Sequence, residues 1–208
     1  MESDKLDEII DSSYFIDDSL KERCKDYFKQ THKALGYWFY SYKPAEDTYQ
    51  GDIIDKLDLV YFEVVNDVLE TKVLEDQPCM LLSHTCDMYL QGKTRGKYIS
   101  VAPLFSYREF SNWRTEGYSD EGWGDFLESV KKNRITDILY IPEKQPLGES
   151  VILMDRIFPI DPNFLKAKLE KRGSKKILSL SQIGFYYLLI KLTYHFARYE
   201  DRAEIKRE

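Results

Sequence analysis

The chain has 208 residues, of which 43% are hydrophobic, 32% charged and 14% aromatic, with 16 tyrosines. This balance excludes disorder, collagen-like repetition and a disulfide scaffold, and the length suffices for one domain with additions or two small ones to bury a core. The net charge of -6 divides unevenly: residues 1–76 hold 19 Asp+Glu against 9 Lys+Arg, while residues 77–208 hold 17 against 21.

The N-terminus, MESDKLDEIID, lacks the basic-then-apolar order of a signal peptide. No apolar run reaches the roughly 18 to 20 residues of a membrane span. The expected location is therefore cytoplasmic, with no membrane contact and with Cys24, Cys79 and Cys86 as reduced thiols. Three cysteines without a CxxC pair, beside His32, His84 and His195, form no zinc set, and no metal or other cofactor is expected.

Residues 1–43 carry helical periodicity. Leu6, Ile9 and Ile10 form one stripe, and Leu20, Cys24, Tyr27, Phe28 and the run Ala34 to Trp38 form another. Asp17, Asp18 or Ser19 supplies a cap, with Glu22 three residues beyond Ser19. Pro44 breaks the pattern. Short β-branched or aromatic runs follow at 52–54, 59–65, 71–74, 78–83, 97–102, 137–141 and 150–154, separated in places by turn residues such as Asn66-Asp67 and Gly92. Strands in such number without long intervening helices predict an antiparallel barrel or sandwich. A polar, Trp-containing insertion at 107–133 interrupts them, with a short helix around Trp123, Phe126, Leu127 and Val130. Helices return at Pro162 to Lys171, with Gly173 expected at C′, and at Ser181 to Tyr199, whose apolar face over 183–196 is wide enough to dock on the barrel or on another subunit.

Four of the β segments resemble, in order, the MazF/PemK family of toxin endoribonucleases. Gly51-Asp52-Ile53-Ile54 is similar to the family's opening strand, and Gln77-Pro78-Cys79-Met80-Leu81-Leu82-Ser83 to its Arg-Pro-hydrophobic strand. Ile99 to Ser106 resembles the strand that runs into a Pro-x-Thr-Ser-like turn. The most specific match is Glu149-Ser150-Val151-Ile152-Leu153-Met154-Asp155-Arg156-Ile157-Phe158-Pro159-Ile160-Asp161, followed by a short helix with Leu165. The resemblance implies a mainly β fold with α additions: a helical extension at 1–46, an SH3-like antiparallel barrel at 47–165, and a helical segment at 166–208. It also implies metal-independent cleavage of single-stranded RNA, homodimerisation, and an antitoxin as possible partner. Gln77 stands at the family's Arg position and cannot carry that residue's fixed charge onto a phosphorane; Phe105, with Ser106 beside it, takes the Thr position.

The densest reactive cluster is Ser83-His84-Thr85-Cys86-Asp87. Cleavage of RNA needs one group to deprotonate the ribose 2′-OH and another to protonate the leaving oxygen. His84 is the first candidate, with Asp87 or Cys86 as its complement, Ser83 beside them, and Arg134 to stabilise charge. Lys93, Arg95, Lys97, Ser106 and Arg108 are the expected RNA contacts, and Tyr61, Tyr98, Tyr107, Trp113 and Trp123 the candidates for stacking on bases. Further basic residues gather at Lys166, Lys168, Lys171, Arg172, Lys175 and Lys176. The competing reading is a catalytically inactive barrel that binds a protein partner through the 107–133 insertion or the last helix. The acidic first third adds an expectation, that an N-terminal arm lies across the basic groove as an antitoxin tail would.

Overall fold

The computed structural model describes residues 7, 10–11, 13, 16, 18–29, 39–41, 47–85, 97–113, 119–171 and 173–197. In chain order the elements are α1 (Asp18–Lys29), β1 (Ile53–Val65), β2 (Val68–Leu81), β3 (Ile99–Ser106), α2 (Tyr107–Ser111), α3 (Asp120–Lys131), β4 (Ile138–Ile141), β5 (Ser150–Leu153), β6 (Phe158–Ile160), α4 (Pro162–Glu170), β7 (Lys176–Leu178) and α5 (Gln182–Ala197). They belong to two compact units: a hairpin unit of residues 41–104 and 156–180, and a helical unit of residues 1–40, 105–155 and 181–208.

The hairpin unit is built on β1 and β2, which pair antiparallel from Ile53↔Met80 out to Val65↔Val68. Asn66 and Asp67 both have positive φ, 51° and 61°, the geometry of a two-residue type I′ turn that matches strand twist. Runs expected as separate strands (52–54 with 59–65, and 71–74 with 78–83) are continuous because the ladder passes through register shifts instead of breaking. Those shifts fall around Lys56 and Asp76, which adopt φ of 52° and 50°. An extra residue on one strand and then on the other bends the ribbon. Asp58 ties the bend down by accepting from the Asp76 amide (3.1 Å) and pairing with Lys168 (2.6 Å). The Lys168 ammonium holds the Asp58 carboxyl below the ordinary carboxylate range.

At the base of the hairpin, β7 adds to β1, β3 adds to β2, and β6 adds to β3, all antiparallel. The three-residue strands β6 and β7 carry no periodic signal in the sequence. One face of this curled sheet packs Ile54, Leu57, Leu59, Cys79, Leu81, Ile99, Val101 and Ile160 with Leu165 of α4. Pro162 opens α4 after Asp161, whose carboxylate accepts from the Asn163 amide (2.7 Å). The helix closes at Lys171 without the expected C′ glycine, since Gly173 lies two residues beyond the cap. Gly51 takes a positive φ (89°), and a Cβ there would come within 2.6 Å of Leu180, so a side chain is excluded on both counts.

In the helical unit, β4 and β5 form an antiparallel hairpin, while α2 and α3 carry an aromatic cluster. Phe110 meets Trp113, Trp123 and Phe126; Trp123 stacks on Phe126 with centroids 5.1 Å apart and donates to the Ser111 carbonyl (3.0 Å). Among its described residues, the 107–133 insertion thus carries two short helices joined by aromatic packing. α3 ends in a Schellman motif: the Arg134 amide reaches Ser129 and the Asn133 amide reaches Val130, with Asn133 at φ 54°. The buried Asn133 side chain also brackets the Tyr140 backbone, accepting from its N–H (2.7 Å) and donating to its C=O (3.1 Å), which joins α3 to β4.

The apolar face of α5, read as free to dock on a barrel or a second subunit, is used within its own unit. Ile190 packs with Ile10, Ile16 and Cys24, with Tyr186 and Leu20 alongside. Gly184 lets the helix start press onto the Phe39 carbonyl, which a Cβ would overlap. The chain is therefore mainly β with several helices, with a curled antiparallel sheet, and no described helix is long and apolar enough to cross a membrane.

Candidate cationic cleft

The bulge at Lys56 turns β1 against the start of β7. The Asp55 amide donates to the Lys175 carbonyl (3.0 Å), and the Lys175 amide returns a bond to the Asp55 carboxylate (2.6 Å). Ser174 Oγ donates to the Lys56 carbonyl (2.9 Å). Beside these bonds lies a cavity of about 620 Å3 lined by Thr48, Lys56, Ser174, Lys175 and Lys176, with Leu169 and Gly173 completing its wall and Asp55 as its acid. Lys56 and Lys175 are exposed, and among the described residues neither pairs with a carboxylate. Lys176 is half-buried and anchored: its Nζ lies 3.2 Å from the Asp52 carboxylate and donates to the Asp47 carbonyl (2.5 Å).

Asp52 is almost fully buried and also accepts from the Tyr49 amide (2.8 Å), so it shapes the 47–52 loop. That loop carries the cleft's Thr48 and, through Gln50, holds the segment after β2. The Gln50 side chain donates to the Leu82 carbonyl (2.6 Å) and its amide to Thr85 Oγ1 (3.2 Å). The Leu82 and Ser83 amides reach the Ser100 carbonyl, and Ser83 Oγ accepts from the Ser100 amide (2.7 Å). His84, between these anchors, is exposed.

The residues singled out in the sequence are distributed as follows. Ser83, His84 and Lys97 lie in the hairpin unit. Ser83 and Thr85 have hydroxyls that hold backbone, and Lys97 sits 5.5 Å from the ring of the exposed Tyr98. Ser106, Arg108 and Arg134 belong to the helical unit and are exposed. Cys86, Asp87, Lys93 and Arg95 lie outside the described residues. Gln77, at the family's Arg position, donates through its side chain to the Leu104 carbonyl (2.5 Å) and so serves the sheet. Among the aromatics, Tyr61 meets Phe158 edge-on, while Tyr107, Trp113 and Trp123 pack among their own neighbours.

The cleft lysines were legible only as part of a basic run at 166–176. Lys56, more than a hundred residues away, joins them through the bulge. The helical unit holds a second polar cluster, in which Tyr140 donates to Glu149, Lys131 reaches both Glu149 oxygens (3.0 and 3.2 Å), and Lys131 lies 4.6 Å from the Tyr107 ring. Burial and the Glu149 charge push the Tyr140 phenol well up, which fixes it as a donor. Among the described residues no three His, Cys, Asp or Glu side chains gather in a way that could hold a metal ion. No protein-family model matches this chain, and no curated protein is similar to it.

Proposed function

We propose that the chain binds single-stranded RNA through the hairpin unit, on an SH3-like, MazF/PemK-like barrel. The observation that carries this is the cleft: three lysines and Thr48 line one cavity, and among the described residues Lys56 and Lys175 pair with no carboxylate. Lysine ammoniums and hydroxyls are the groups that hold phosphate oxygens, and a local cationic patch acts within a Debye length even on an acidic chain. The exposed Tyr98 under Lys97 offers a stacking surface of the kind that holds unpaired bases. The family likeness adds support, since each of the four resembling segments contributes a strand: β1, the end of β2, β3, and β5 with β6. Cleavage, in this reading, depends on the exposed His84 as proton acceptor or donor; Gln77 takes no part.

Fluorescence anisotropy of a labelled unstructured oligonucleotide tests the reading. Binding is expected to weaken with salt, and Lys56→Ala combined with Lys175→Ala should lower affinity about tenfold or more. The slope of log K against log salt should fall by between about one and two, at roughly 0.7 per lost phosphate contact. Incubation with RNA in EDTA, with His84→Ala as control, reports cleavage. Binding that ignores both salt and the lysine substitutions refutes the proposal. The competing reading, a protein-interaction module, draws on a different surface.

A further inference from the structure

Antiparallel sheets that cover a core on one face usually present polar residues on the other. The outer half of the β1–β2 hairpin departs from this. The register pairs Val60 with Val73, Phe62 with Thr71, and Val64 with Leu69. Alternation places all six on one face of the ribbon. The opposite face carries Tyr61, Glu63, Glu70 and Lys72, with Val65 and the exposed Val68 beside the turn, and joins the core at Leu59 and Leu74. On the first face, Phe62, Val64 and Leu69 are each 67% exposed, Val60 57% and Val73 50%. Thr71 is the sole polar residue in this set, and there is no charge in it.

We propose that this face is the contact between two copies of the chain, the two ribbons packing face to face about a two-fold axis. Area, charge and the ribbon's own symmetry argue for a second copy. The exposed parts of the five apolar side chains amount to about 500 Å2, near the upper end for the largest patch on an ordinary monomer. A pair of copies then buries about 1,000 Å2, the least area expected of a biological interface and short of the roughly 1,200–2,000 Å2 of stable ones, so the contact is a weak one. Each copy carries -6, and this face lets two copies meet without setting like charges directly against each other. A lipid bilayer fits less well, because Glu63 and Glu70 stand on the same narrow ribbon and residues 1–76 are strongly acidic. An isologous contact also needs a self-complementary patch, and an uncharged strip of valine, leucine and phenylalanine meets that need. The proposal is independent of RNA binding, since none of these residues lines the cleft.

Sedimentation velocity on the full chain tests it. At tens of micromolar the expected species is a dimer, twice the 24.7 kDa chain. Phe62→Glu and Phe62→Lys, changes at an exposed position, should each weaken dimerisation at least tenfold and leave the circular dichroism spectrum unchanged. Mixing the two variants should restore the dimer, because opposite charges then meet across the axis; a misfolded variant would not be rescued in this way. A monomeric wild type overturns the proposal, as does a dimer that both variants leave intact. A wild type that floats with phosphatidylcholine vesicles as a monomer assigns the face to lipid and equally overturns it.

Discussion

Lys191 shows how one residue couples packing to pH. It is fully buried on α5, where its Nζ donates to the carbonyls of Ile135 (2.6 Å) and Ile138 (3.2 Å). Burial pushes its pKa down to about 7, only partly opposed by the Asp137 charge. Asp137 is itself engaged with His195, one helical turn further along α5, at 3.0 Å. The unfolded lysine titrates near 10.5, so between pH 7 and 10 the unfolded state binds more protons and stability rises with pH. Below about 7 both states are protonated and this dependence ends. Thermal melts should show a gain on the order of 3 kcal/mol between pH 7 and pH 10. In Lys191→Met the rise should flatten, and a variant as pH-dependent as the wild type would contradict the assignment.

Among the elements, the β1–β2 hairpin was the most readable in advance, and the reason is local. Asn66-Asp67 between β-branched runs signals a two-residue turn, and the chain makes one with φ of 51° and 61°. Asp67 takes a left-handed conformation that glycine adopts without cost, so Asp67→Gly should stabilise the hairpin unit by about 0.5–1 kcal/mol, measured by urea unfolding. The bulge at Lys56 was hidden because lysine does not advertise a positive φ, and that at Asp76 because an aspartate that tolerates one sits there inside a strand-like run. Their cause is non-local, in the Asp58–Lys168 pair and the Ser174–Lys56 bond. The three-residue β6 and β7 were invisible for a similar reason, since each exists only through its partner strand. The α3 helix was legible from Trp123 to Val130, but the aromatic packing that joins it to α2 was not. The cleft follows the same rule, with Thr48 and Lys56 on one side and Ser174 to Lys176, far along the chain, on the other.

At the scale of the whole chain, described residues of the N-terminal segment belong to a core. The expected inhibitory arm contributes Ile10, Ile16 and Cys24, all buried with Ile190. Deleting residues 1–43 should therefore destabilise the helical unit by several kcal/mol, at about 1.5–3 kcal/mol per buried side chain lost. Proteolysis and thermal melting would detect this, and a deletion variant that melts like the full chain would refute it. Gly184→Ala should act in the same direction, since the Phe39 carbonyl leaves no room for a methyl group.

The interleaving of the two units has a consequence for synthesis on the ribosome. The hairpin unit lacks β7 until residue 178 has been made, and the partner of Ile10 and Ile16 does not exist until residue 190. At about 5–20 residues per second, Ile10 and Ile16 wait on the order of ten seconds for α5, the helix that covers them. Nascent chains of this protein should accordingly lean on chaperones early, and maturation should be nearly simultaneous for both units, completed only once α5 has left the exit tunnel.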